Sequence, residues 1–283
     1  MGKTFYVCAT KLQYQQLIWQ IFMILSFAYC NAPVAPIRSE PSHRAEQVNE
    51  LLFGERAEVL EVNDKEWARV RGEWDNYEGW CKMGQLTHTT RKEYNKKTHV
   101  IVSQHNSKLI FEDSDMWLPI GSDLFGTKGG KIILSDKTGK IKGKKINSKK
   151  LLLNCDSLKA AVYLYMHAPY RWGGRNIMGI DCSGLTQMAF KLCGKRILRD
   201  AKQQATEGEP VDFLQHAQCG DLAFFDEPDG KITHVGILLD TQHIIHASAN
   251  NGKVMIDKID QGGIISVLQK KRTHQLRVVK RFF

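Results

Sequence analysis

Several features of metal-binding and membrane-spanning proteins are missing from this 283-residue sequence. No C-x-x-C pair occurs, and the Cys and His residues never recur at the compact spacing of zinc ligands, so a structural zinc site is not expected. The apolar run at residues 17–25 is too short to cross a bilayer comfortably. We expect neither a metal ion nor an organic cofactor.

The N-terminal segment lacks acidic residues. Lysines precede its apolar run and small residues follow at Ala28 and Ala32, which is typical of a secretory signal peptide. We therefore predict that residues 1–32 are a signal peptide, that the protein is exported to the periplasm, cell envelope or medium, and that no membrane span remains after processing. An uncleaved anchor is the alternative. Lipid attachment at Cys30 is less favoured, because its aromatic neighbours fit that processing poorly.

Basic residues outnumber acidic ones. Lys and Arg number 40 and Asp and Glu 30, so the formal net charge is +10, which is compatible with an anionic polymer such as cell wall or nucleic acid. The most Lys-rich segment, residues 128–150, is interpreted as a solvated edge hairpin. No aromatic residue interleaves its lysines, which disfavours single-stranded nucleic acid. We expect no nucleic-acid partner.

Five of the seven cysteines lie beyond the predicted signal peptide. An odd number in an exported chain leaves at least one thiol unpaired, unless two chains are cross-linked. Without a sign of a partner, Cys193 and Cys219 are interpreted as packed thiols. The five are Cys81, Cys155, Cys182, Cys193 and Cys219.

The remaining chain divides into three parts by its pattern. Residues 33–95 contain short alternating runs separated by turn residues, which predicts a small all-β barrel. Residues 96–150 continue this pattern and predict a second β unit. From residue 151 to residue 283, helical periodicity is followed by several strands, so this part is predicted to be an α+β domain.

A candidate nucleophile stands at the start of a predicted helix in the third part. Cys182, Leu185 and Leu192 recur at helical spacing, and Gly194 is suited to end the helix. The first turn of a helix presents unpaired N–H groups and a positive dipole end, which favour a thiolate at Cys182. A packed thiol is the alternative.

Two histidines are candidates for the base and for the group that orients it. Residues 232–238 and 244–248 are predicted strands, and a turn centred on Asp240 would make His234 face His246 directly. A two-residue turn would instead place the two rings on opposite faces. Nucleophile, base and orienter are the parts of covalent catalysis. Other histidines are interpreted as ordinary core or surface residues: His216, His243 and His274.

These segments resemble the NlpC-type peptidoglycan endopeptidases over about residues 151–283. The resemblance implies a papain-like cysteine peptidase core with Cys182, His234 and His246 as its triad. The motifs that carry the resemblance occur in the family's order: Pro169-Tyr170-Arg171-Trp172-Gly173-Gly174, Asp181-Cys182-Ser183-Gly184-Leu185, Gly220-Asp221-Leu222, His234-Val235-Gly236-Ile237 and Ile245-His246-Ala247.

The two β units in front resemble bacterial SH3-like domains. They occur in the branch that cleaves the bond between γ-D-glutamate and a diamino acid in murein stem peptides. The resemblance implies that Asp181 holds the free N-terminal amine of the substrate, that Tyr77 closes the pocket, and that an acidic residue, for which Glu46 is our candidate, assists. It also implies substrate contacts from the loop that borders the site and from the start of the helix, at Tyr170, Trp172 and Ser183.

Some of these assignments have alternatives. Asp181 is also suited to cap the helix, and both roles can coexist because a carboxylate has several acceptor sites. Ser183 is ambiguous between amine binding and packing at the helix start. Related sequences often carry Ser after the Arg-Asp pair, whereas Arg199-Asp200 is followed here by Ala201. The peptide preference is therefore less well defined than the reaction.

We predict a monomeric cysteine endopeptidase whose partner is peptidoglycan or a murein peptide. An amidase or acyltransferase with the same core is the alternative among enzymes. A non-catalytic wall-binding protein is the alternative from another class, and the presence of Cys182, His234 and His246 argues against it. A nucleic-acid binder would be supported by charge alone.

Overall fold

The computed structural model describes residues 24–97, 100–124, 131–134 and 137–283. The first unit is a seven-stranded antiparallel sheet followed by a short helix, α1, Arg91–Tyr94. Its strands are β1 Ser26–Cys30, β2 Val34–Arg38, β3 Gln47–Leu52, β4 Arg56–Val62, β5 Trp67–Gly72, β6 Glu78–Lys82 and β7 Leu86–Thr89, in the order β3-β2-β6-β5-β4-β1-β7.

Strand β1 lies inside the segment predicted to be a signal peptide. It pairs with both β4 and β7, and Ala28 and Cys30 are fully buried in the core of this sheet. Cleavage after Ala32 would remove a strand that has a partner on each side, so the first β unit begins at Ser26 rather than at residue 33. Residues 1–23, including most of the apolar run, lie outside the described residues, and export by a leader stays a prediction.

The second unit consists of a four-stranded sheet and a separate pair of strands. Its core includes Leu109 and Leu118 together with Phe53 from the first unit. Lys131, Lys140 and Lys142 are exposed. Its strands are β8 Val100–Val102, β9 Ser107–Ile110, β10 Asp115–Leu118, β11 Lys131–Leu134, β12 Lys137–Lys142 and β13 Lys145–Asn147, in the orders β10-β9-β12-β11 and β13-β8.

The third unit packs helices against a seven-stranded sheet. The helices are α2 Cys155–Tyr163, α3 Cys182–Leu192 and α4 Ala201–Gln204, and a two-stranded hairpin is formed by β14 Arg175–Asn176 and β15 Gly179–Ile180. The sheet contains β16 Glu209–Val211, β17 Leu222–Asp226, β18 Ile232–Leu238, β19 His243–Ser248, β20 Lys253–Asp260, β21 Gly263–Ser266 and β22 Lys271–Arg281.

This sheet has the order β16-β22-β17-β18-β19-β20-β21, and β21 also pairs with β22, which closes the sheet on itself. Helix α2 packs on α3, and α3 packs on β18 and β19. The predicted fold class, an α+β catalytic domain preceded by SH3-like β units, is confirmed. No helix within the described ranges is both long enough and apolar enough to span a bilayer.

A disulfide joins Cys155 at the start of α2 to Cys219 before β17, with the two Cα atoms 5.5 Å apart. The interpretation of Cys219 as a packed thiol is therefore wrong. The two residues are 64 positions apart, so only the tertiary fold brings them into the range of disulfide geometry. Cys193 is a buried free thiol, as expected.

Buried ion pairs connect the three units. Glu55 accepts hydrogen bonds from Arg175 at 2.9 and 3.0 Å and from Lys191 at 2.6 Å, and Asp123 of the second unit lies 3.2 Å from Lys191. Burial alone would raise the pKa of Glu55, but Arg175 and Lys191 lower it to about 2. Glu50, also fully buried, accepts from the backbone N–H of Arg175 at 2.8 Å. The first unit is thereby fixed against helix α3.

Candidate active site

Cys182 is the first residue of α3, as predicted. Asp181 is the N-cap, and its Oδ1 accepts a hydrogen bond from the Gly184 N–H at 2.7 Å. At the other end Gly194 has a φ of 84°, a left-handed conformation that suits glycine. The packing of α3 against β18 brings Cys182 beside the strand that carries His234.

The environment of Cys182 differs from the expectation of a thiolate. Burial raises the pKa of its thiol to about 12, and the Asp181 carboxylate acts in the same direction. The backbone N–H groups of Val235 and Ser183 lower this pKa but do not offset burial. In the free site the thiol is therefore protonated at neutral pH, and it becomes a nucleophile by giving its proton to a base.

His234 and His246 form a hydrogen-bonded pair, with Nε2 of His234 2.8 Å from Nδ1 of His246. The prediction that both lie on one face of the sheet is confirmed, but the predicted direct pairing is wrong. Ile237 pairs with Ile245, so the turn is centred one residue later than expected and His246 stands across from Gly236. A Cβ atom at Gly236 would lie 3.0 Å from the His246 Cβ, so the missing side chain leaves room for the diagonal contact.

Two residues that the sequence did not indicate complete this cluster. The Asp257 carboxylate lies 3.1 Å from Nε2 of His246, and both side chains are buried. The His274 ring stacks on His234 with centroids 4.3 Å apart, so the interpretation of His274 as an unrelated residue is wrong. Asp257 lies on β20, the strand that directly follows the strand of His246, and His274 lies on β22. His216 and His243 stay outside the cluster.

The electrostatics of the cluster favour a neutral base. Burial lowers the pKa of His234 well below its usual value of 6.5, and His246 and His274 act in the same direction. Burial likewise lowers the pKa of His274 to about 4. At neutral pH His234 is therefore an uncharged imidazole that can accept the proton of Cys182.

Asp181 is saturated with hydrogen bonds. Besides capping α3, it accepts from the Gly173 N–H at 2.8 Å and from both terminal nitrogens of Arg199 at 2.7 and 3.0 Å. Together with the Ser183 hydroxyl, which donates to Oδ1 at 3.4 Å, these donors fill the acceptor capacity of a carboxylate. Arg199 also donates to the Ser183 hydroxyl at 2.9 Å. The capping role of Asp181 is thus confirmed, and its contact with a substrate amine stays a prediction.

A cavity of about 490 Å³ opens beside Cys182 at the junction of the first and third units. From the first unit, Glu46 accepts a hydrogen bond from Trp172 Nε1 at 2.6 Å, and the Tyr77 hydroxyl bonds to Asp200. Ala201 lies in the wall of this cavity. The lining comprises Glu46, Val48, Tyr77, Trp172, Asp181, Cys182, Ser183, Arg199, Asp200, Ala201, Lys202, Glu227, Ile232 and Thr233.

The structure therefore brings together five of the six predicted substrate-binding residues in one cavity. The sixth, Tyr170, is not part of the lining. Burial raises the pKa of its phenol, and the nearby Cys182 and Asp181 act in the same direction, which places it beside the nucleophile. Within the described ranges, no set of three or more His, Cys, Asp or Glu side chains is arranged to hold a metal ion.

A chain of buried hydrogen bonds links the first unit to this cavity. Asn49 accepts from Arg199 Nε at 2.9 Å and donates to Asp75 at 3.2 Å, and Gln187 of α3 donates to the same carboxylate at 3.1 Å. Asp75 also accepts from the backbone N–H of Tyr77 at 3.1 Å. The position of Tyr77 therefore depends on how the first unit docks on α3.

Known proteins resemble this chain in both of its functional parts. Residues 167–273 match the NlpC/P60 family, and residues 37–86 match the bacterial dipeptidyl-peptidase SH3 domain. Dipeptidyl-peptidase 6 of Lysinibacillus sphaericus is 28% identical over 254 residues, which cover 81% of this chain and 90% of the relative. The γ-D-glutamyl-L-lysine dipeptidyl-peptidase of Bacillus subtilis (strain 168) is 27% identical, covering 72% of this chain and 73% of the relative.

Solved structures show the same architecture. The crystal structure of an NlpC/P60 family protein from Bacillus cereus ATCC 10987 superposes with a TM-score of 0.74 at 20% identity, covering 91% of this chain and 99% of the other. The similarity extends across the β units as well as the catalytic domain, so the two proteins share a fold. Residues 167–273, which include Cys182, His234 and His246, therefore form a cysteine peptidase domain of the NlpC/P60 family.

Proposed function

We propose that this NlpC/P60 peptidase of peptidoglycan peptides hydrolyses the bond between γ-D-glutamate and the diamino acid in stem peptides that begin with a free L-Ala. The observation that carries the proposal is the cavity beside Cys182, which the first unit lines with Glu46 and Tyr77. A short N-terminal segment of the substrate would lie between these two residues and the nucleophile. The names of the two curated relatives, both dipeptidyl-peptidases, support this choice.

The charges of the cavity favour an ammonium group. Its lining holds two cations, Lys202 and Arg199, and the guanidinium of Arg199 is already held by Asp181, Ser183 and Asn49. Four carboxylates outnumber them: Glu46, Asp181, Asp200 and Glu227. Because the acceptor sites of Asp181 are occupied, we assign the direct contacts with the amine to Glu46 and Asp200. N-acetylation removes the positive charge and adds bulk, so it should block binding here.

The reaction follows from the neutral Cys182 and His234. The thiol proton moves to His234 while the sulfur bonds to the γ-carbonyl carbon of D-Glu. The N–H groups in the first turn of α3 then donate hydrogen bonds to the oxyanion that forms. As the C–N bond breaks, the His234 imidazolium returns the proton to the leaving amine of the diamino acid. Water then attacks the thioester with His234 as base, releasing L-Ala-γ-D-Glu and the thiol.

Mass spectrometry of products from defined peptides tests the proposal. The wild-type protein should release the diamino acid from L-Ala-γ-D-Glu-L-Lys or from its meso-diaminopimelate counterpart, and Cys182→Ala or His234→Ala should abolish release while the circular dichroism spectrum is retained. Equal turnover of the N-acetylated peptide would refute the role of the free amine. Release of the whole stem peptide from muramyl peptides would favour an amidase instead.

We also propose that the protein is exported by a leader that ends before Ser26. The disulfide between Cys155 and Cys219 supports this proposal, because such bonds persist mainly in oxidising compartments. N-terminal sequencing of the protein recovered from the medium or cell envelope tests it. A protein that remains in the cytoplasm with residue 1 intact would refute it.

A further inference from the structure

Asp257 stands directly behind the two histidines of the site. On β20 it lies on the same sheet face as His246, diagonal to it, because His246 pairs with Met255 and Ile244 pairs with Asp257. One carboxylate oxygen of Asp257 is 3.1 Å from Nε2 of His246, and the other accepts the backbone N–H of Val267 at 2.7 Å. Asp257 is 1% exposed and His246 is fully buried, so water does not substitute for either partner.

This arrangement determines where the ring protons lie. An ionised carboxylate only accepts hydrogen bonds, so Nε2 of a neutral His246 carries the proton. Its Nδ1 is then an acceptor and receives the Nε2–H of His234, 2.8 Å away. The lone pair of His234 is left on Nδ1, and no hydrogen bond of the described residues ends on that atom.

We infer that Asp257 is a positioning residue of the peptidase, which acts through His246 to hold His234 in the tautomer that can accept the Cys182 proton at Nδ1. The inference rests on the proposed roles of Cys182, His234 and His246. When His234 becomes an imidazolium, its Nε2–H still points at the Nδ1 lone pair of His246, so no side chain has to turn during the reaction.

The two hydrogen bonds of Asp257 require a carboxylate rather than an amide. In Asp257→Asn, one side of the amide would accept and the other would donate. If the NH₂ group faces Nε2 of His246, that nitrogen must become an acceptor, and the proton moves to Nδ1. His234 must then accept at Nε2 and carry its own proton on Nδ1, where it cannot act as the base. If the NH₂ group instead faces the Val267 N–H, two donors oppose each other.

The test compares Asp257→Asn with Asp260→Asn on the same strand. Asp260 is partly exposed and pairs with Arg272 at 2.5 Å, away from the histidines, so it controls for loss of a carboxylate on β20. We expect Asp257→Asn to lower kcat by roughly 100-fold with little change in KM, and Asp260→Asn to leave both unchanged. A wild-type kcat for Asp257→Asn would overturn the inference.

A second comparison separates positioning from a structural role in holding Val267. We expect Asp257→Asn to reduce kcat much less, within about threefold, when it is introduced into His246→Gln, because the residue it acts through is already absent. A purely structural role would produce the same loss in both backgrounds. Equal losses would therefore overturn the inference.

Two measurements do not depend on the peptide substrate. The rate of Cys182 alkylation by iodoacetamide should fall in Asp257→Asn even if the proposed peptide is not the substrate, which keeps the two proposals distinguishable. Nitrogen-15 NMR of histidine-labelled wild-type protein should show both His234 and His246 protonated at Nε2 at neutral pH. Protonation of His234 at Nδ1 would overturn the inference even if Asp257→Asn fails to fold.

Discussion

The reacting groups and the substrate-binding end of the cavity are built in different ways. Cys182, His234, His246 and Asp257 all come from the catalytic domain and lie among buried apolar residues. The binding end is charged and depends on two residues of the first β unit, Glu46 and Tyr77. The proposed reaction is thus organised within one domain, whereas the proposed recognition of the substrate is organised between two.

The catalytic cluster and the binding end therefore depend on different kinds of interaction. The catalytic cluster relies on burial, which keeps both the thiol and the base neutral until substrate arrives. The binding end relies on ion pairs and hydrogen bonds that hold the β unit in place, with Glu55 at their centre. Changes at the domain interface should therefore affect recognition before they affect the reactivity of Cys182.

The largest effect is expected from Glu55→Gln. Arg175 and Lys191 would remain buried without their shared carboxylate, so we expect unfolding free energy to fall by about 3–5 kcal/mol in chemical denaturation. Glu61 on β4 lies 3.4 Å from its partner Arg69, which is partly exposed. Glu61→Gln should therefore change the unfolding free energy by less than about 1 kcal/mol. If Glu55→Gln is as stable as Glu61→Gln, the interface is not held by these ions.

The same variant distinguishes recognition from reactivity. Under native conditions, we expect Glu55→Gln to raise KM for the peptide while the rate of Cys182 alkylation stays at the wild-type value. A parallel loss of alkylation would show that the catalytic cluster also depends on the docked β unit.

A smaller effect, confined to the catalytic cluster, is expected from Gly236→Ala. The added Cβ would lie 2.7 Å from Ile244 Cδ1 and 3.0 Å from the His246 Cβ, so these two side chains must shift and the His234–His246 contact is disturbed. We expect kcat to fall between about 10- and 100-fold, measured by steady-state kinetics. Gly84→Ala is the control, because nothing lies within 4 Å of its added Cβ. An unchanged kcat would show that the contact does not need this space.

A still smaller effect is expected at the binding end from Glu46→Gln. The amide oxygen can still accept the Trp172 N–H, so only the charge is lost. We expect KM for the free-amine peptide to rise by about tenfold, the loss of one charge-assisted hydrogen bond, while kcat is maintained. Glu40→Gln, an exposed change in the same loop, should have no effect. A KM that does not change would exclude Glu46 from amine binding.

The smallest effect is expected from pH. Because the folded-state pKa of His234 lies well below 6.5, the base stays neutral as pH falls through 6.5, and it is lost only when pH approaches the lowered pKa. We expect kcat/KM to change by less than about twofold between pH 7.5 and 6.0. A histidine with the usual pKa near 6.5 would lose nearly fourfold over this range. His246 and His274 contact the ring, and a larger loss would show that burial beside them does not lower the pKa of His234.

The parts of the site that depend on local pattern could be predicted from the amino-acid sequence. Helical spacing and the capping Asp181 placed Cys182 at a helix start, and the parity of the turn between β18 and β19 put His234 and His246 on one face. These features depend on residues close together in the chain, where periodicity and turn length act directly. The division into β units and an α+β domain could be predicted for the same reason.

Features that join distant segments depend on the tertiary fold. His274 reaches the site because β22 folds beside it, and Cys155 meets Cys219 only in the folded chain. In sequence, the apolar segment Ser26–Cys30 is typical of the end of a leader. In the fold it is a strand that pairs with β4 and β7.

The burial of the reacting groups also depends on the tertiary fold. The dipole at the start of α3 predicts a thiolate, but the surrounding core keeps Cys182 protonated, because desolvation of a charge outweighs the dipole of one helix. Local sequence specifies which groups can react. The packing of distant segments specifies their charge, their tautomers and the cavity in which they act.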